Sequence, residues 1–237
     1  MTLKAYKIIG KTDVILYADS LVNDGVLKNS NAKKIIKTSE LNINEITSII
    51  KEYYDKNYDI SRLHSGDPSI YGAINDEISF FEDNNMDYEI IPGISSVFAA
   101  AAKLKIELTS PGTTQTVILT RVPRRTEKFE NEDLSVIAKH KTSLAIFLSA
   151  SNISKVKEKL LNAGYSKTDK IIIAYKISWP DEKIIFTDLE NLENSIFVNR
   201  INRQALLLIG GNISFSSDKK SFLYNPEFTH LFRKSIK

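Results

Sequence analysis

"DISRLHSGDPSIYGAINDEISFFED", Asp59 to Asp83, reads as a strand, a corner and a helix in direct succession. Asp59 to His64 has the length and composition of a short strand, and Pro68 to Asp83 carries its apolar residues at helical spacing. Gly66, Asp67 and Pro68 make the corner between them. Asp67 suits an N-cap, Pro68 suits a first helical position that needs no N–H, and Gly66 lets the backbone turn or approach a ligand closely. A strand that feeds straight into a helix is the repeating unit of a parallel α/β sheet.

The alternation extends in both directions. Upstream, "DVILYA" (Asp13 to Ala18) is a β-rich apolar run suited to a strand buried on both faces, and "NINEITSIIKEYYDKN" sets Ile43, Ile46, Ile49, Ile50, Tyr53 and Tyr54 on one helical stripe. Downstream, "YEII" reads as a strand and "SSVFAAAAKL" as a helix. The first sheet is therefore expected to be mostly parallel, with right-handed crossovers. At "ELTSPGTTQ" (Glu107 to Gln115) the apolar rhythm gives way to Thr, Ser, Pro and Gly, which places a domain boundary near Pro111 and predicts domains 1–111 and 112–237. In the second domain "TVILTR", "SLAIFLS" and "QALLLIGG" read as strands, and "NISKVKEKLLNAG" as a helix closed by Gly164 at C′. "KIIIAYKI" and "EKIIFTDL" flank "SWPD" as an antiparallel hairpin, so this sheet is expected to be mixed. The fold class is α/β in two α/β domains.

Composition bounds the function. At 237 residues with 42% hydrophobic and 26% charged residues, the chain can bury a core in each domain and lies far from disordered or fibrous sequences. A formal charge of +3 without a dense Lys/Arg stripe argues for a small anionic ligand and against nucleic acid. No cysteine is present, which excludes disulfides, thiolate metal sites and a Cys nucleophile and suits a reducing cytoplasm. In "MTLKAYKIIGKTDVILYADS" charged residues interrupt every apolar run, so neither a signal sequence nor a membrane span is expected there.

In open α/β sheets ligands bind beyond the carboxyl ends of the strands, where loops vary and helix N-termini present free N–H groups. The Gly66–Asp67–Pro68 corner lies at such an end, and "IIPGISS" (Ile90 to Ser96) repeats the design with a Pro-Gly turn and serines at a helix start. Capping alone would account for Asp67 and Pro68, but two such corners on neighbouring strands would form one wall of a crevice. Neither matches a dinucleotide fingerprint or a P-loop. His64, His140 and His230 lack metal-ligand spacing, so no metal site is expected, and His64 reads better as a satisfied structural histidine than as a catalyst.

Six segments in order carry a resemblance: "VILYADSLV" (Val14 to Val22), "RLHSGDPSIYGAI" (Arg62 to Ile74), "YEIIPGISSVFAAAAKL" (Tyr88 to Leu104), "ELTSPGTTQTVILTR" (Glu107 to Arg121), "AIFLSAS" (Ala145 to Ser151) and "YKISWPDEKI" (Tyr175 to Ile184). Together they resemble the tetrapyrrole (corrin/porphyrin) methylases, and "YADSLV" and "SWPDE" point to the branch that methylates carbon 11 of precorrin-4 or cobalt-precorrin-4 in cobalamin biosynthesis. The resemblance implies two α/β domains with S-adenosylmethionine (S-adenosyl-L-methionine) in the cleft between them, and a homodimer. Carried over position by position, it implies cofactor contacts at Gly66, Asp67, Pro68 and Tyr71, at Ser95 and Ser96, and at Leu148, Ile177 and Ala205. Taken alone, the last three would be ordinary core residues. Other acceptors within the same fold, another precorrin or uroporphyrinogen III, and a non-catalytic remnant that binds the cofactor are the competing readings.

A sulfonium is already an activated methyl donor, so transfer to an electron-rich ring carbon asks for alignment, water exclusion and the loss of one proton. Asp19 in "YADS" could accept that proton, with a turn or capping role an equal reading. A precorrin bears many carboxylates, which calls for cations: Arg121, Arg124 and Arg125 after "TVILT", and Lys176 beside "SWPD". For Arg124 and Arg125 a solvated loop is the competing reading. Family members open with a strand and a Gly-rich loop ahead of the segment that resembles "MTLKAYKII", and without that neighbour Val14, Ile15 and Leu16 are expected to be exposed.

Overall fold

The structure, a computed structural model, describes residues 1–123, 129–211, 229 and 233, and divides into two units, Met1–Phe98 and Ala99–Lys237. In the first, strands β1 (Val14–Tyr17), β2 (Lys34–Lys37) and β3 (Ile60–Leu63) form a parallel sheet in the order β2-β1-β3. Val14 lies opposite both Lys34 and Ile60, and Tyr17 opposite both Lys37 and Leu63. Helix α2 (Ile43–Tyr54) follows β2 and starts on a capping box, with the Asn42 side chain accepting from the Glu45 N–H and the Glu45 carboxylate accepting from the Asn42 N–H.

Val14, Ile15 and Leu16, expected at an exposed edge, are fully buried. The reason is their place in the sheet: β1 is the central strand. Val14 and Leu16 pack with Ile46, Ile50 and Met86 on one face, and Ile15 and Tyr17 with Ile9 and Val22 on the other. Ile9 belongs to helix α1 (Leu3–Ile9), whose N-cap Thr2 accepts from the Ala5 N–H at 3.3 Å.

Two further expectations are corrected. The helix read from Pro68 begins only at Asn75, as α3 (Asn75–Asp83). Tyr71 and Ala73 take left-handed φ values of +56° and +52°, and Gly72 packs so tightly that a Cβ there would lie 2.0 Å from the Pro68 carbonyl oxygen. Asp67 therefore caps an isolated turn, with the Ile70 N–H donating to its carbonyl at 3.1 Å. The "YEII" run, Tyr88 to Ile91, forms no ladder with any described strand, and its apolar composition alone does not make it one. It leads into α4 (Ser96–Leu104), within which the division between the units falls.

The second unit holds β4 (Val117–Arg121), β5 (Ser143–Phe147), β6 (Lys170–Tyr175), β7 (Lys183–Asp188) and β8 (Ala205–Ile209) in the order β4-β5-β8-β6-β7. β4 and β5 are parallel, β8 is antiparallel to both its neighbours, and β6 and β7 form the expected hairpin. The last of the described strands is thus inserted at the centre, where all five of its residues are buried. Helices α5 (Leu134–Ile137), α6 (Ile153–Asn162) and α7 (Leu192–Val198) cover one face through Leu134, Val156, Leu160, Leu192 and Ile196. Gly164, with φ of +81°, closes α6 as its sequence position implies.

Asp133 caps α5, accepting from the Ser135 N–H at 2.9 Å, and also pairs with Lys159 of α6. Burial works to raise this carboxyl, but the Lys159 and Ser135 hydrogen bonds outweigh it and hold the group at about 2. A depressed carboxyl stabilises the fold above its ordinary range and loses that contribution as pH falls through its folded value. The denaturation midpoint of Asp133→Asn is therefore expected to lie furthest below that of the parent chain above about pH 4, near the unperturbed carboxyl value, with the gap closing towards about pH 2. Ile146→Ala, which empties a fully buried position on β5, is expected to cost about 2–5 kcal/mol in urea denaturation.

Candidate functional site

At the carboxyl end of the first sheet, Asp67 does more than cap its own turn. Its Oδ1 accepts from the Ser69 N–H at 2.9 Å and from the Ser69 hydroxyl, while its Oδ2 accepts from the Gly93 N–H at 2.9 Å. Hydrogen bonds from Ser69 and then Gly93 hold the carboxyl below its ordinary range. One side chain thereby joins the corner after β3 to the "PGISS" corner. The backbones meet there: a Cβ on Gly93 would sit 1.9 Å from the Gly66 carbonyl oxygen. Gly66 is glycine for another reason, since a Cβ there would meet only ordinary contacts but its φ is +71°. Ser95 is 4% exposed and Ser96 opens α4, while Tyr71 stands exposed on its left-handed backbone. Gly66, Asp67, Pro68, Ser95 and Ser96 thus form one connected pair of corners.

Asp19 lies just after β1 and accepts from the Ser39 N–H, just after β2, at 3.3 Å. Hydrogen bonding to Ser39 lowers its carboxyl, which makes it a weaker base and gives it work in holding the two strand ends together.

In the second unit the ends of β4, β5 and β6 share an edge with the start of β8, as the register of Arg121 with Phe147 and of Tyr175 with Ala205 requires. Three residues there are non-glycines in the left-handed region: Leu148 after β5, Lys176 after β6 and Gln204 before β8, with φ of +52°, +47° and +54°. The Lys176 N–H donates to the Gln204 carbonyl at 2.9 Å, locking two of them together. Such backbone costs of order 1–3 kcal/mol each and concentrates at functional sites. Leu148 is 59% exposed, which removes the core explanation for it; Ile177 is half-buried and Ala205 is buried.

Of the candidate substrate cations, Arg121 ends β4 on this edge and is exposed. Lys176 is already paired with Asp181 at 2.6 Å, its ammonium 5.5 and 5.4 Å from the Tyr175 and Trp179 ring centres, so a substrate carboxylate would compete with Asp181. Arg124 and Arg125 lie outside the described residues. The sequence reading missed Ser149, whose buried hydroxyl accepts from the Val122 N–H at 2.9 Å and donates to the Phe147 carbonyl at 2.7 Å, pinning the ends of β4 and β5. A lone serine after a strand gives no pattern by which to find it. Among the described residues no group of three His, Asp or Glu side chains could hold a metal ion, and no helix is long and apolar enough to cross a membrane.

A strand-corner-helix edge of this kind in one unit, and a mixed sheet with left-handed corners in the other, define a class. The family model of the tetrapyrrole (corrin/porphyrin) methylases matches residues 1–193, and the chain belongs to that family. A cobalt-precorrin-4 C(11)-methyltransferase of Priestia megaterium is 40% identical over 100% of this chain and 93% of its own length. One of Methanocaldococcus jannaschii is likewise 40% identical, over 100% of this chain and 92% of its own. The crystal structure of a cobalt-precorrin-4 methyltransferase, a cobalamin biosynthetic enzyme, superposes with a TM-score of 0.84 at 40% identity, covering 89% of this chain and 88% of that one.

The close approach at Gly93 makes a direct prediction. Gly93→Ala forces the two corners apart and is expected to destabilise the chain by about 1–3 kcal/mol. Thermal denaturation checks this, and an unchanged melting temperature would show that the corners are not held in contact.

Proposed function

We propose that the chain transfers a methyl group from S-adenosylmethionine to carbon 11 of precorrin-4 or cobalt-precorrin-4. The observation that carries this reading is 40% identity, over the whole chain, to relatives named for that reaction. The residues fit such a cofactor: two corners offering main-chain groups at the end of a parallel sheet, and a second edge with left-handed residues at Leu148, Lys176 and Gln204. When bound, the cofactor supplies a sulfonium methyl, already activated for transfer.

The chain's own task is then to bind, align and keep water out. In this reading Gly66, Asp67, Pro68 and Tyr71 form the floor of the cofactor site, with Asp67 setting the distance between the corners. Ser95 and Ser96 contribute at the start of α4, and Leu148, Ile177 and Ala205 are the second unit's contribution. Arg121 and Lys176 receive substrate carboxylates, Lys176 by exchange with Asp181. Proton loss is left to solvent or to Asp19, whose lowered carboxyl suits it less well to the task. The reading also takes a functional boundary near Pro111, a homodimer and a cytoplasmic setting as parts of the same proposal.

Incubation with S-adenosylmethionine and either precorrin-4 or its cobalt complex, followed by mass spectrometry, is expected to show addition of one methyl group. Transfer to uroporphyrinogen III alone would redirect the acceptor, and cofactor binding without transfer to any of these would mark a binding protein. Asp67→Ala and Ser95→Arg are each expected to weaken S-adenosylhomocysteine binding in calorimetry at least about tenfold, the scale of losing a hydrogen bond to a charged group or filling a buried contact. Parent-like affinity in both would refute this placement of the site.

A further inference from the structure

Beside the first corner lies a cluster of charges that neither capping nor the proposed chemistry uses. β3 divides its side chains between its faces. Ser61 meets Thr12 hydroxyl to hydroxyl at 2.6 Å on one face, and Leu63 packs on that side with the group around Ile15. Arg62 and His64 point to the other face, where α3 supplies Glu77. Glu77 is 5% exposed; its Oε1 accepts from Arg62 Nε at 3.1 Å, and its Oε2 lies 3.6 Å from His64 Nε2. Arg62 also reaches the Leu63 carbonyl with Nη1 at 3.4 Å. Burial works to raise the Glu77 carboxyl, but His64 and Arg62 outweigh it and keep the group below its ordinary range.

A buried ion cluster is a poor way to gain stability, because desolvation cancels much of the attraction and apolar side chains of the same size often do as well. Its location explains more. His64 is the last residue before the corner, and Glu77 lies on the first turn of α3, just beyond the left-handed Tyr71 and Ala73. The segment between them carries Gly66, Asp67, Pro68 and Tyr71. Its tip is tied to Gly93 by Asp67, and its two ends are drawn together by the approach of His64 to Glu77.

We propose that Glu77 is a positioning residue that, through His64 and Arg62, closes the base of the Gly66–Tyr71 loop and so sets its geometry for the cofactor. This rests on the cofactor reading above. Removing the Glu77 charge takes the counter-ion from Arg62 and the acceptor from His64, and the base of the loop loses a tie. Glu77 touches no reacting atom, so its removal is felt in cofactor affinity and not in the chemical step.

The test uses the full chain, with calorimetric titration of S-adenosylhomocysteine and steady-state kinetics at varied S-adenosylmethionine. Glu77→Gln is expected to raise both the Kd and the donor KM about tenfold, the scale of a hydrogen bond to a charged group, and to leave kcat within about twofold. His64→Ala, which keeps the Arg62–Glu77 pair and with it the fold, is expected to lose affinity in the same way. His64→Lys, which places an ammonium opposite Glu77, is expected to retain it. A lowered melting temperature with unchanged Kd in Glu77→Gln, or equal losses in His64→Ala and His64→Lys, would overturn the proposal. Failure of the parent chain to bind S-adenosylhomocysteine would instead overturn the cofactor reading on which it stands.

Discussion

A single carboxylate holds the mouth of the first sheet together. Asp67 engages its own turn through one oxygen and, through the other, the N–H of a glycine 26 residues away. The second bond fixes the close approach of Gly66 and Gly93, and that approach places Ser95 and the start of α4 beside the end of β3. An aspartate is suited to this because a carboxylate has two oxygens and its short side chain keeps both near the backbone. Asparagine would keep the shape, lose charge assistance on both sides and on one side set its NH2 donor against an N–H donor. The connection is local in space and distant in sequence, so one side chain couples the geometry of the two corners.

Much of the architecture was legible beforehand. The strands at Val14–Tyr17 and Ala205–Ile209 stood out as short apolar runs, and Ile60–Leu63 by its place just before the Gly66–Asp67–Pro68 corner. The parallel and mixed characters of the two sheets followed from strand-helix alternation and from the "SWPD" turn. What escaped was structure whose cause is tertiary. β2 has only Ile35 and Ile36 between lysines, and exists because β1 offers it a partner. "YEII" has the better composition and forms no ladder, because a strand is made by its neighbour's hydrogen bonds and not by its own side chains. The late start of α3 is likewise a backbone event: no letter in "SIYGA" announces two left-handed residues around a glycine packed on Pro68.

The candidate site was legible in a different way. Its first half announces itself in letters, through Gly, Asp, Pro and paired serines whose local physics is strong. In the second unit the residues Leu148, Ile177 and Ala205 have no such signature, and only the resemblance singled them out. The structure sets Leu148 in an exposed, left-handed position on the edge shared with Ala205, and Lys176 and Gln204 flank that edge in the same conformation. Glu77 escaped for the opposite cause, since a glutamate in the first turn of a helix is so ordinary that only its burial between Arg62 and His64 distinguishes it.

Those three left-handed non-glycines also bear on how such a protein can diverge. Where recognition is carried by the direction of a peptide group, the side chain on the same residue is free to drift, provided the surrounding sheet keeps forcing the dihedral angle. Leucine, lysine and glutamine, chemically unrelated, take the same left-handed backbone on one edge of this sheet. One backbone shape at that edge is therefore compatible with three unrelated side chains, and the letters alone do not announce it.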